Sequence, residues 1–395
     1  MNEETTHKTK TVAETLAQAL YDNNVTHIYG VPGGGSSLLL IEAAAQLGIK
    51  FVLTRTETGA MIMASATAEL TGSLGVALTT KGPGVASAAN GSACALLDRT
   101  PVILITDGFT EQQSDFITHQ FIDQKALLAP VTKGHSRLEE NQVMSEISRL
   151  IDLAMSPPCG PVHIELTGAT AKKEVLELQT QKTLDERALN ADNLNDFAKA
   201  NELINNASRP VIVIGLEARS IENAEKTREL IDNTDCPVLT TYKAKGVISD
   251  HHPQYAGIFT GGIAESACIS KADLIIMIGL DPVEFVLQKW RYQIPIIDIS
   301  VVEYPVHYVK PDVGLYGPIN NNISALLNGI SVLSSDWKLP DIKALRNDMH
   351  YALQCHAKEG IGAQDVVEVA LESAMSRHTL NQEKKLPLIT VDAGA

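Results

Sequence analysis

Short apolar runs rich in valine and isoleucine alternate with longer alanine- and leucine-rich stretches along most of the chain. An apolar run without polar residues at alternate positions suits a parallel strand covered on both faces. The pattern predicts a helix over 12–23, then strands over 27–31, 51–54, 75–80, 101–106 and 162–166. Helical stretches such as 37–47 and 58–70 separate them. Strands and helices in alternation make an α/β domain with a parallel sheet, expected here over residues 1–170.

Residues 171–198 turn polar and read as a surface linker. A second α/β series is expected over 199–335, with strands at 210–216, 237–241, 273–280 and 295–300. Several of these open with proline, which is tolerated at the first residue of a strand. Residues 336–385 read as a helical connector with Val366, Val367, Val369, Ala370 and Leu371 among its apolar positions. The final ten residues, 386–395, are LPLITVDAGA, a buried-strand run followed by Asp392 and a small-residue turn. A parallel strand finds its partner only after a crossover of a dozen or more residues. Residues 386–395 are therefore expected to open a third domain, the alternative being that they join an earlier sheet.

Composition narrows the function classes. The 395 residues carry 47 acidic and 32 basic side chains, a net charge of −15. That balance argues against a nucleic-acid or anionic-membrane binder, since both surfaces repel an acidic protein. The first eleven residues are polar and do not read as a signal peptide. No apolar segment approaches the ~20 residues of a membrane span. Five widely spaced cysteines form no CxxC pair, which suits free, buried thiols in a reducing, cytoplasmic compartment. Cys355 and His356 are neighbours, but adjacent helical residues diverge by about 100°, so they do not read as a metal or nucleophile pair.

Three features fall at predicted strand ends, where open α/β sheets bind ligands. They are Gly30-Val31-Pro32-Gly33-Gly34-Gly35, Glu57 in RTETGA, and Thr79-Thr80-Lys81-Gly82-Pro83-Gly84. The first lacks both the GxGxxG spacing of a dinucleotide loop and the GK[ST] ending of a phosphate loop. Taken singly, the two glycine-rich segments are no more than tight turns. Small neighbours surround Glu57, and a carboxyl in such surroundings can carry a proton near neutral pH. The plainer reading is a carboxylate stabilised at a helix N-terminus.

Order and spacing say more. Glu57, then Gly82-Pro83-Gly84, then a strand following LLDR, then Pro130-Val131-Thr132-Lys133 resemble the N-terminal domain of thiamine-diphosphate-dependent enzymes of the acetolactate synthase type. The resemblance runs through most of residues 10–170 and continues less specifically into 200–330. It implies that Glu57 hydrogen-bonds the cofactor's aminopyrimidine ring nitrogen. Sharing that proton favours the imino tautomer, whose nitrogen takes the proton from the thiazolium carbon, a general-acid role. It also implies that Thr80 and Pro83 line the pyrimidine, that the backbone of Pro32, Gly33 and Gly34 borders the reacting atoms, and that Gln120 bonds the cofactor amine or the substrate. Gly82 and Gly84 complete the turn, with Ser87 beyond it.

Three positions depart from the family pattern, and all would lie on the substrate side. Val31 stands where many synthases have an aromatic residue, Ser87 where they have asparagine, and His119 where they often have phenylalanine. These leave cofactor activation intact but put pyruvate as donor in doubt. The resemblance further implies a 2-oxo acid substrate and a homodimer or homotetramer. Magnesium and the cofactor diphosphate would be held by a third domain, because no GDG motif with a later asparagine occurs here. The chain alone is thus expected to be inactive, or to be a split or non-catalytic subunit needing a partner chain for the missing domain. FAD in the central domain is possible but not favoured. Gly215-Leu216-Glu217-Ala218-Arg219 follows a strand without forming a fingerprint, and Lys243, Lys245 and Gly246 read as a solvated basic loop.

Overall fold

The computed structural model describes residues 9–175, 192–285, 289–305, 307–329, 335–354 and 360–381. The body of the polar linker, the Cys355-His356 pair and the terminal 386–395 strand lie outside the described residues. The chain divides into two units, Met1–Leu189 and Asn190–Ala395.

The first unit holds β1 (His27–Val31), β2 (Lys50–Leu53), β3 (Gly75–Thr79), β4 (Val102–Gly108), β5 (His135–Arg137) and β6 (Val162–Thr167). They form one all-parallel sheet in the order β2-β1-β3-β4-β6-β5. β3, β4 and β6 are buried at every residue, with the polar Thr106, Asp107, His163 and Glu165 held inside by hydrogen bonds. Two apolar clusters cover the faces, one around Leu16, Leu20, Ile28 and Ile105, the other around Met61, Val85, Leu104 and Leu128. Chain order reverses between β1 and β3, so the connections leave this point in opposite directions and open a crevice at the carboxyl ends.

The second unit holds β7 (Pro210–Ile214), β8 (Val238–Thr240), β9 (Tyr255–Ile258), β10 (Leu274–Ile278), β11 (Ile296–Ser300) and β12 (Val313–Tyr316). Their order is β12-β11-β10-β7-β8-β9, again all parallel, with the reversal between β7 and β10. This is the doubly wound order of dinucleotide-binding sheets. The helix Leu339–Leu353 falls in the stretch expected as a connector. It lies against β9 and buries Ile342, Leu345 and Met349 in the core of this unit. The further helix Ala363–Asn381 leaves Val366, Val367 and Val369 exposed.

The sheets confirm the parallel α/β class, and three edge or near-edge strands were not visible in the pattern. β5 is a polar three-residue strand at the sheet margin, β9 carries Gly257 and a register shift, and β12 alternates in burial. A marginal strand needs no long apolar run because one side or face is left to solvent. The thiols match the expectation of free, buried cysteines only in part. Cys236 and Cys268 are buried, which pushes each up to about 12, whereas Cys94 is exposed because its helix turns that face outward.

Gly30 shows how tightly the reversal point is built. A methyl group there would stand 2.1 Å from the Leu78 carbonyl oxygen on the neighbouring strand. Gly30→Ala is expected to destabilise the first unit by ~1–3 kcal/mol, the cost of overpacking a dense core. Thermal or denaturant unfolding checks this, and a change near zero contradicts it.

Candidate functional site

The turn after β1, the start of the helix after β2, and the turn after β3 meet at the β1/β3 reversal. Glu57 opens the helix Glu57–Thr71, whose N-cap Thr56 accepts from the Gly59 amide at 3.0 Å. The side chain is half-buried. Gly82, at φ +65°, and Pro83 start the helix Pro83–Leu97. A methyl group on Gly84 would stand 3.4 Å from Glu57 Oε1, 2.5 Å from Thr79 Oγ1 and 2.9 Å from Thr80 Cγ2. Glycine at this position therefore lets the turn backbone reach the carboxyl group. Thr58 Oγ1 donates to the Ser87 carbonyl at 2.5 Å, pinning the two helices together beside the crevice.

On the opposite wall, Pro32 and Gly33 are half-buried and Gly34 is exposed. A methyl group on Gly33 would stand 2.6 Å from Thr80 Oγ1. The glycine-rich turn after β1 and the threonine after β3 thus face each other closely. The structure brings together Pro32, Gly33, Thr80, Gly82, Gly84 and, through Gly84, Glu57. Val31 ends β1 in the same wall.

Gln120 and His119 sit in the exposed segment after β4. The Gln120 backbone adopts φ +59°, and its carbonyl packs against Gly82, where a methyl group would stand 2.2 Å away. The backbone of Gln120 therefore meets the turn while its side chain faces solvent.

Two polar residues that sequence reasoning did not single out complete the site. Asp107, at the end of β4, is 2% exposed, and its Oδ1 accepts from the Ser37 amide and Ser37 Oγ, each at 2.9 Å, and from Ser36 Oγ. Gln124, 6% exposed, accepts from the Gly82 amide at 3.0 Å and donates to the Asp107 carbonyl and to Glu165 Oε2, each at 3.1 Å. Glu165 is held on its other side by Arg137 at 2.7 Å. The one available signal was Asp107 interrupting an otherwise apolar strand.

A separate cavity of about 580 Å3 lies beyond Gln124, with Phe109, Phe121, His135, Arg137 and Glu165 in its walls. From that wall, His135 approaches the buried His163 at 3.0 Å through their Nδ1 atoms, and His163 Nε2 lies 2.8 Å from Thr106 Oγ1. Burial drives His135 down to about 4 and His163 down to about 3. Both rings are neutral at neutral pH, which lets one nitrogen donate to the other.

The second unit's reversal point is built differently. The Leu216 amide donates to Glu284 Oε2 at 2.8 Å, and the Glu217 and Ala218 amides are taken by the Gly279 and Gly215 carbonyls. Tyr304 Oη lies 2.5 Å from Glu217 Oε1 and 2.8 Å from Asp281 Oδ2. Burial pushes Glu217 and Glu284 up to about 7 and Asp298 up to about 6. Carboxyl groups therefore fill the place where a dinucleotide would put its diphosphate. Lys245 is exposed, as expected of a solvated basic loop, and pairs with Asp250 at 2.5 Å and Tyr255 at 3.1 Å.

Two family models match the chain. "Thiamine pyrophosphate enzyme, N-terminal TPP binding domain" covers residues 10–127, and "Thiamine pyrophosphate enzyme, central domain" covers 197–326. The acetolactate synthase of Bacillus subtilis (strain 168) is 27% identical over 359 residues, covering 87% of this chain and 62% of that protein. A 2-hydroxyacyl-CoA lyase of Arabidopsis thaliana is 26% identical over 328 residues, covering 79% and 55% respectively. A probable acetolactate synthase large subunit of Methanocaldococcus jannaschii is 27% identical over 401 residues, covering 97% and 66%. The chain thus spans between about half and two thirds of the length of these relatives.

The raised carboxyl groups have a consequence for stability. A carboxyl that holds its proton more tightly folded than unfolded contributes fully below its ordinary value, near 4.5 for glutamate. That contribution is lost as pH rises through about 7. His307, lowered by burial in the same unit, acts in the opposite direction but is one group against three. Both tryptophans, Trp290 and Trp337, lie in this unit and report its unfolding. The denaturation midpoint followed by tryptophan fluorescence is expected to fall between about pH 5 and about pH 8, and Glu217→Gln should flatten the slope. A rising midpoint contradicts the assignment.

Proposed function

The chain belongs to the acetolactate synthase-like family of thiamine-pyrophosphate-dependent enzymes, and from that premise we propose that it takes part in decarboxylating a 2-oxo acid and transferring the resulting fragment. The observation that carries this reading is Glu57 at the β1/β3 crevice, beside a turn kept open by Gly84. Thiamine diphosphate, when bound, supplies the electron sink for decarboxylation. Everything else falls to the side chains and backbone around it.

Glu57 holds and exchanges a proton at its carboxyl oxygen, facing the cofactor's aminopyrimidine ring. Thr80 and Pro83 orient that ring, and Gly82 and Gly84 let the backbone approach it. Pro32, Gly33 and Gly34 form the opposing wall, leaving room for a substrate next to Val31. Ser87 and His119 lie on the substrate side, and Gln120 turns its amide toward the ligand once the exposed segment after β4 is covered. We assign magnesium and the diphosphate to a further domain, in the same or a partner chain, within a homo-oligomer.

In the second unit, the buried carboxyl groups and the self-satisfied Leu216, Glu217 and Ala218 amides support a crevice without flavin or nucleotide. A diphosphate placed there would meet Glu284 at the amide it needs. Purified full-length protein is expected to show no flavin absorbance, and a stoichiometric flavin would overturn this.

The proton relay is tested by Glu57→Gln in the full-length enzyme. Turnover should fall by at least ~100-fold, the lower end for losing a general acid–base group, with thiamine diphosphate affinity within ~10-fold. Unchanged turnover would show that Glu57 does not carry the proton.

A further inference from the structure

We infer that Asp107 and Gln124 are positioning residues that tie both walls of the Glu57 crevice to the end of β4. The inference rests on the reading of that crevice as the cofactor site, and assigns a role to two residues that line it from behind.

The helix that follows the turn after β1 has no side-chain cap of its own. Gly35 is the N-cap of the helix Ser36–Gln46 and offers no side-chain oxygen to its amides. Free N–H groups at a helix start need an acceptor. Asp107, some seventy residues away in sequence, supplies it through the Ser37 amide at 2.9 Å and both serine hydroxyls. The Ser37 hydroxyl, fixed by Asp107, in turn accepts from the Gly33 amide at 3.2 Å. The other carboxylate oxygen, Oδ2, is buried without a hydrogen-bond partner. It lies under Gly33, where a methyl group would stand 1.9 Å from it. Leaving a buried carboxylate oxygen unpaired costs free energy. Nothing but glycine fits above it.

The wall after β3 is tied to the same residue by its main chain. The Asp107 carbonyl accepts from Gln124 Nε2, and Gln124 Oε1 accepts from the Gly82 amide. Gly82 sits at φ +65°, a backbone state that only glycine adopts without strain. One residue of β4 therefore sets the positions of Gly33 through its side chain and Gly82 through its carbonyl. The gap between those walls fixes how a ring held by Thr80 and Gly84 meets Glu57. Glu165, held by Arg137, steadies Gln124 from behind.

The test combines amide hydrogen exchange with cofactor binding in the full-length enzyme. In Asp107→Ala the Ser37 and Gly33 amides should exchange at least ~10-fold faster, and in Gln124→Ala the Gly82 amide should do so, with the amides of β1 and β3 unchanged. Thiamine diphosphate with magnesium should bind each variant at least ~5-fold more weakly, and kcat at saturating cofactor should fall at least ~10-fold with substrate KM within ~3-fold. Asp107→Asn keeps the shape and one acceptor, and should restore the Ser37 amide protection; it covers the case in which the alanine variant does not fold. Faster exchange with unchanged cofactor affinity and kcat would overturn the positioning role, as would exchange that stays at the wild-type rate. Failure of the wild-type enzyme to bind thiamine diphosphate would instead overturn the reading of the crevice itself.

Discussion

Parallel strands put all their carboxyl ends on one edge of a sheet, and the reversal of chain order opens a gap there. Backbone amides at the gap have lost their ladder partners and need an acceptor, from the protein, from water or from a ligand. The two units meet this demand in opposite ways. In the first, Asp107 and Gln124 satisfy the turn amides from behind, leaving the front of the crevice to Glu57, Thr80 and glycine backbone. In the second, Glu284 satisfies Leu216 from the front and occupies the gap itself.

That difference distinguishes the two crevices within a single chain. The second unit has the strand order of a dinucleotide-binding sheet, yet Glu217, Asp281, Glu284 and Tyr304 close its reversal point with their own hydrogen bonds. Burying several carboxyl groups together is costly, and burial pushes Glu217 and Glu284 up to about 7. Fold alone therefore does not say what a unit binds.

Around the first crevice, polar order extends well behind the front wall. Gln124 joins the Gly82 amide to Glu165 and Arg137, and these residues reach the 580 Å3 cavity. His163 lies behind that cavity among fully buried strand residues, bonded to Thr106 and His135. A buried network in which each member has a partner resists deformation, because moving one group strands the next. The glycine turns at the front are locally weak, and this network gives them their geometry.

Apolar periodicity by itself determined the α/β class and most strands, because β7 and β10 are buried on both faces and apolar throughout, and β3 and β4 are largely so. It also placed Glu57 and the two glycine turns at strand ends, while their chemical roles were implied only by the family resemblance. The marginal strands β5, β9 and β12 stayed hidden because an edge position asks little of its residues. Only the tertiary structure decided that Asp107 caps a helix from another strand, that Gln124 holds Gly82, and that Gln120 meets the turn by its backbone. It alone also decided that Glu217 and Glu284 fill the second crevice. The reason is common to all of these. A hydrogen bond between residues tens of positions apart depends on which strands lie side by side, and no local pattern in the chain records that order.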